Sequence, residues 1–215
     1  MDGTVPKESP PAAQGRILDA AENIFAEQGF AGAGMKAIAL RANVAQGLLH
    51  YHFSNKDGLY AAVIERRSGI INRDRISLLD QVNLEKQDPV PDIMEALLKP
   101  PLGPAGGGRA YARILAGLCV GDARDSALVE EHYDPTAKRF IAALQIARPH
   151  ASARSISWGY NLAVGALIAT VARDGRSDRL IGAVEKIEDL EKTVARTVAY
   201  AAGGLDAIIA ADAPP

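Results

Sequence analysis

Helix stop and start signals crowd together between Gly29 and Asp57, so this stretch can hold only short helices joined by tight turns. A first helix is expected from near Pro11. Ile17, Ala21, Ile24 and Phe25 fall on one stripe at i, i+4, i+7 and i+8. Gly29 ends it, supplying the left-handed cap that other residues adopt only at a cost, and Phe30 then folds back on the stripe. A second helix is expected over about Met35 to Ala42, with Asn43 as a residue tolerant of left-handed backbone. A third covers about Ala45 to Tyr51. Ser54 is then expected to cap a long fourth helix running from about Asp57 toward Leu84, with Asp57 completing a capping box. Leu59, Val63, Ile64 and Ile71 face inward from it. The pair of short helices about Ala42-Asn43-Val44, centred on Ile38, Val44 and Leu49, predicts a helix-turn-helix.

The rest of the chain also reads as helix. Asp88-Pro89-Val90-Pro91 opens a short helix through Lys99, and Pro100 to Gly108 reads as a flexible loop. Helices are expected at roughly 109–120, 126–147, 152–173 and 183–211. No segment sustains strand alternation, and aromatic residues make up only 5% of the chain. The expected fold is all-α. It comprises a disordered tail over 1–11, a three-helix helix-turn-helix domain over 12–71 and a larger helical domain over 72–215.

Several function classes are excluded at this level. Cys119 is the only cysteine, so no disulfide framework forms, and a reduced cytoplasm is the expected compartment. The N-terminus has no apolar core of a signal peptide. No uninterrupted apolar run reaches about 18 residues, and the apolar stretch Asn161–Ala172 reads as a buried helix, so no membrane partner is expected. The net charge of −2 does not advertise a polyanion binder. Between Lys36 and Arg67, however, Lys36, Arg41, Lys56, Arg66 and Arg67 outnumber Asp57 and Glu65. A local basic patch is the relevant footprint, because attraction to phosphate is screened beyond about 10 Å.

Residues 16 to 64 resemble the DNA-binding module of the tetracycline-repressor (TetR/AcrR) family. The resemblance is carried by Arg16-Ile17-Leu18-Asp19-Ala20-Ala21, Phe25-Ala26-Glu27-Gln28-Gly29-Phe30 and Met35-Lys36-Ala37-Ile38-Ala39. It continues through Val44-Ala45-Gln46-Gly47-Leu48-Leu49-His50-Tyr51-His52-Phe53 and closes on Lys56-Asp57-Gly58-Leu59. Order and spacing hold throughout. Two positions depart from the pattern: Gly34 stands where the family usually has Thr or Ser, and Asn43 where it usually has Gly. The first departure removes a hydroxyl that caps the second helix and can touch phosphate.

The resemblance implies that the third helix enters the major groove of an operator. Gln46, Gly47 and Leu48 would face base edges, since Gln pairs with adenine and Leu meets a thymine methyl. His50, Tyr51, His52 and Lys56 would contact phosphates, with Lys36 and the amides near Gly34 holding flanking phosphates. In the C-terminal part, Tyr111-Ala112-Arg113-Ile114-Leu115, His132-Tyr133-Asp134-Pro135 through Arg139-Phe140, Ala147-Arg148-Pro149-His150 and Trp158-Gly159-Tyr160 through Gly165-Ala166-Leu167 look like one branch of the family. Several regulators in that branch respond to fatty acids or their thioesters. The implied partners are double-stranded DNA, a small apolar effector of fatty-acid or acyl-CoA type, and a second copy of the chain.

The larger domain has more helices than a DNA-reading scaffold needs. An apolar pocket is expected there, lined by Ile93, Leu97, Tyr111, Leu115, Cys119, Phe140, Trp158 and Asn161. The Pro100–Gly108 loop would be its mobile mouth, and Arg113 or Arg173 would meet a carboxylate or phosphate at the rim. Small residues in the last two long helices (Ala163, Gly165, Ala166, Ala169; Ala195, Val198, Ala201) suggest a two-fold dimer.

Rival readings are weaker. His50 and His52 stand two apart on a helix, pointing about 200° away from each other, which does not suit one shared metal ion. Asp122, Asp125, Glu130, Glu131 and His132 could mimic an acid–base site, but they follow Gly121 at a loop, where charge is normally solvated. No phosphate-binding glycine loop or nucleophile motif is present, so neither enzyme nor cofactor is expected. A helical adaptor without DNA binding is the remaining alternative. It would have no use for the exposed stretch Gln46 to His52.

Overall fold

A computed structural model describes residues 10–172, 176–184 and 189–213. Residues 1–9 of the expected tail and the candidate rim residue Arg173 lie outside the described residues. The described chain is helical throughout: α1 (Pro10–Gly32), α2 (Met35–Ala42), α3 (Gln46–Phe53), α4 (Lys56–Leu79), α5 (Val90–Leu102), a 3-10 turn (Pro104–Gly106), α6 (Gly108–Val120), α7 (Ala123–His132), α8 (Asp134–Ala147), α9 (Ala153–Val171), α10 (Arg176–Leu180) and α11 (Leu190–Ala211). Two compact units divide it, Met1–Arg66 and Arg67–Pro215, with the division inside α4.

In the first unit the apolar stripe of α1 becomes the core. Ile17, Ala21, Ile24 and Phe25 are buried together with Ile38 and Ala42 of α2, Leu49 and Phe53 of α3, and Leu59, Val63 and Ile64 of α4. Gly29 takes φ 68°, a value that favours glycine, and bends the end of α1. Phe30 then stacks back on Phe25 at 6.1 Å, and both rings meet Tyr60 edge-on. The start of α4 differs from the sequence expectation. Ser54 still belongs to the end of α3: its amide donates to the His50 carbonyl (3.0 Å) and its φ is 61°. Asn55 provides the cap instead, its Oδ1 accepting from the Gly58 amide at 2.8 Å. At the other end α4 stops at Leu79 rather than near Leu84, and Asn83 Oδ1 accepts from the Glu85 amide (3.0 Å), a local bond that competes with helix.

In the second unit α5, α8, α9 and α11 share a core that includes Ile93, Leu97, Phe140, Leu144, Ile156, Leu167 and Leu205. A Cβ at Gly159 would overlap the Leu205 side chain, so α9 and α11 approach closely within one chain. Ala163 and Ala201, expected between copies, are buried in that contact. α11 is long and apolar enough to cross a membrane by length and composition, with mean hydropathy 1.3 over its most apolar window. In this fold it buries Val194, Thr197, Ala201 and Leu205.

Three further expectations are corrected. The segment 126–147 is two helices broken at Tyr133 (φ −119°, ψ −37°), because Pro135 suits the first turn of a new helix and not the interior of an old one. The Pro100–Gly108 stretch is built, not open. α5 runs on through buried Pro100 and Pro101, and buried Gly106 packs against Pro101. Asp122 stays exposed, as loop charge should, but Asp125 is not solvated charge. Asp122 caps α7 by accepting from the Arg124 amide (3.0 Å) and the Asp125 amide (3.2 Å), and Asp125 is buried against Arg124 (3.0 Å).

Candidate functional site

The first unit presents a short helix by its outer face. Leu49 and Phe53 anchor α3 inward, leaving Gln46, Gly47, His50 and Tyr51 exposed, Tyr51 at 82%, with Leu48 and His52 half-buried. Lys36 is exposed on α2. The turn before α3 rests on Asn43, in the left-handed region at φ 53°, ψ 52°. Val44 donates its amide to the Ala39 carbonyl at 3.0 Å, and Arg16 Nε reaches the Ala42 carbonyl at 3.1 Å, tying the turn to α1. The His50 Nδ1–H donates to the Ser54 carbonyl (3.0 Å), which fixes that nitrogen as the donor. An exposed amide, phenol and imidazole on one short, firmly seated helix can meet base edges and phosphates.

Lys56 opens α4 and turns its ammonium to the end of α1. Its ammonium donates to the carbonyls of Phe30 (2.9 Å), Ala33 (3.2 Å) and Ala31 (3.4 Å) and lies 4.5 Å from the Phe30 ring centre. Its three donors serve the end of α1. Gly34 begins α2 with φ −105° and no side-chain cap.

The second unit holds an unexpected charge. Arg75 of α4 is 4% exposed. Its Nε donates to the Leu97 carbonyl at 2.8 Å, and its Nη1 to Asn72 Oδ1 at 3.3 Å. Asn72 in turn donates to the His132 carbonyl at 2.8 Å. The phenols whose charge would be felt at the guanidinium are Tyr160, Tyr133 and Tyr111, and the hydroxyls of Tyr111 and Tyr133 are hydrogen-bonded to each other. Burial lowers the Arg75 pKa, pushes Tyr133 up to about 12 and raises Tyr160. Among the described residues no carboxylate stands within ion-pair distance of Arg75. A separate cleft of about 430 Å³ is lined by Leu102, Gly103, Pro104, Gly108, Arg109, Thr170, Val171, Leu190 and Thr193.

Residues 17–63 match the model of the bacterial regulatory proteins of the tetR family, and residues 93–204 match the tetracyclin repressor-like C-terminal domain. The chain belongs to the TetR family. Among curated TetR-type relatives, the HTH-type transcriptional activator FasR of Mycolicibacterium smegmatis is 45% identical over 53 residues, 25% of this chain and 24% of its own length. UidR of Escherichia coli is 47% identical over 49 residues, 23% of this chain and 25% of its own length. These matches thus span about a quarter of each relative. Over nearly the whole chain the fold is that of the fatty acid degradation regulator FadR from Bacillus halodurans (TM-score 0.67, 19% identity, 93% of this chain and 98% of that one). FadR from Bacillus subtilis, solved in complex with stearoyl-CoA, is similar (TM-score 0.62, 17% identity, 90% and 96%).

Within this TetR fold the sequence-expected sensor residues divide. Ile93, Leu97, Tyr111 and Phe140 are buried and Leu115 is half-buried. Cys119, Trp158 (57% exposed) and Asn161 lie at the surface, and Arg113 is exposed. The phase of α9 explains this: Ile156, Tyr160, Ala163 and Leu167 take the inner face, which turns 158 and 161 outward. Asn161, expected to line the pocket, is therefore an exposed amide. The residue that sequence reasoning missed is Arg75. Its signal was its phase, midway between buried Ile71 and Leu79 on α4.

Proposed function

We propose that the chain is a DNA-binding transcription regulator of the cytoplasm, most simply a repressor that leaves a palindromic operator when a small apolar or acyl-type effector binds its C-terminal unit. The outward face of α3 carries this reading: Gln46, Gly47 and Leu48 read base edges, and His50, Tyr51, His52 and Lys36 contact the backbone, while Leu49 and Phe53 hold the helix in place. The second unit receives the effector among Ile93, Leu97, Tyr111, Leu115 and Phe140, with Cys119, Trp158 and Asn161 toward its edge. A fatty acid or acyl-CoA suits this unit, in keeping with the fold shared with the two FadR proteins. The effector shifts the population toward a state in which α4 carries the two reading helices of a dimer out of register with the groove.

Two copies pair through the outer face of α9 and α11, where Trp158, Leu162 and Tyr200 are exposed apolar side chains. A gel shift with sheared DNA at low salt tests the reading, run beside Tyr51→Ala and Gln46→Ala. Retarded DNA with the native chain and loss with Tyr51→Ala are expected. No retardation at any salt returns the chain to the class of helical adaptors. Light scattering at micromolar concentration should report a dimer.

A further inference from the structure

Arg75 has a structural duty, and that duty does not require its charge. The Leu97 carbonyl would normally accept from the amide four residues on, but that residue is Pro101, which has none. Arg75 Nε fills the gap at 2.8 Å. Any neutral donor of suitable reach would do the same. Instead the position holds a guanidinium, 4% exposed, of whose five N–H groups two have acceptors, with no carboxylate in ion-pair distance among the described residues. Burying an uncompensated cation costs several kcal/mol. Around it stand three phenols, Tyr160, Tyr133 and Tyr111, and the Tyr160 hydroxyl has no hydrogen-bond partner among the described residues. Ile93, Leu97 and Phe140, fully buried in the core of the same unit, make the surroundings apolar.

We infer that Arg75 receives the carboxylate of the effector, and that the effector is a free apolar monocarboxylic acid rather than its coenzyme A thioester. One cation balances one negative charge; a thioester carrier with several phosphates would bring more charge than this site can neutralise. A planar carboxylate matches the unfilled N–H donors of the guanidinium, and a phenol adds a further donor. Removing the charge mismatch by binding also stabilises the liganded fold. This inference rests on the reading of the chain as an effector-responsive regulator.

The test is a thermal-shift and calorimetric titration of the full chain with decanoate, decan-1-ol and decanoyl-CoA, repeated on Arg75→Gln, which keeps a donor for Leu97 but not the charge. Decanoate should bind the native chain at least about tenfold more tightly than the alcohol, as a charge-assisted pair requires. That preference should disappear in Arg75→Gln. Arg109→Gln, in the separate cleft, should leave it intact. Should Arg75→Gln fail to fold, Tyr160→Phe serves in its place, with the carboxylate preference expected to fall several-fold. An undiminished preference in whichever variant is folded, equal binding of acid and alcohol by the native chain, or binding of the thioester alone would overturn the inference. DNA retardation is measured on the same samples. A chain that retards DNA yet ignores decanoate loses this inference and keeps its regulatory reading, and one that does neither loses both.

Discussion

Arg75 donates from α4 to the carbonyl of Leu97 on α5, the acceptor that Pro101 leaves unserved. The pairing predicts a specific non-additivity. Arg75→Ala leaves the Leu97 carbonyl without its donor, a penalty of about 1–3 kcal/mol that is set against the relief of removing a buried cation. Pro101→Ala restores an amide that can serve Leu97 directly. The cost of Arg75→Ala should therefore shrink in the Pro101→Ala background. A double-mutant cycle by urea denaturation measures this coupling.

The phenols beside Arg75 give the fold a high-pH limit. Burial pushes Tyr133 up from 10.0 to about 12, so the folded state holds its proton while the unfolded chain gives it up first. The stabilisation is fully present below about pH 10 and is lost as pH rises toward about 12. Its full size is up to about 2–3 kcal/mol. Denaturation between pH 9 and 12 should show this loss for the native chain and a shallower one for Tyr133→Phe.

Lys56 serves the end of α1 with three carbonyl bonds, which changes what its removal should do. Lys56→Ala should destabilise the first unit by about 1.5–3 kcal/mol, the range for hydrogen bonds to a charged group. At temperatures where the variant is folded, the salt slope of DNA binding should be unchanged. A slope reduced by about one unit would instead restore the phosphate role that the family resemblance implies.

Gly34 offers a gain. Its backbone is already extended at φ −105°, ψ 135°, and a Cβ there meets nothing within 4 Å. Gly34→Thr should add the missing cap to α2, worth a few tenths of a kcal/mol, and strengthen DNA binding severalfold through one phosphate contact. Thermal melting and fluorescence anisotropy read the two effects separately.

Local rules made the first unit legible. Met35–Ala42 was bounded correctly because Asn43 tolerates positive φ, and the α1 stripe fell into the core because its spacing fits one helical face. Ser54 misled because it and Asn55 are both capping residues, and the choice depended on which one still closed α3. In the second unit the errors came from tertiary context. Pro100 and Pro101 read as loop, yet burial and the donor from Arg75 let α5 pass through them. Trp158 and Asn161 read as lining because α9 is apolar almost all round, and only its packing on Leu205 chose the inner face. Arg75 is not legible in the sequence because a charge in a core stripe contradicts the apolar pattern that marks the stripe.

The central claim is that α3 reads DNA sequence. Selection of binding sites from a random double-stranded library, with the native chain and with Gln46→Ala, tests it most directly. The native chain should enrich an inverted repeat whose half-sites lie about one helical turn apart, and Gln46→Ala should enrich a repeat altered at the base that Gln46 contacts. Enrichment of no sequence, or of the same sequence by both proteins, would contradict it.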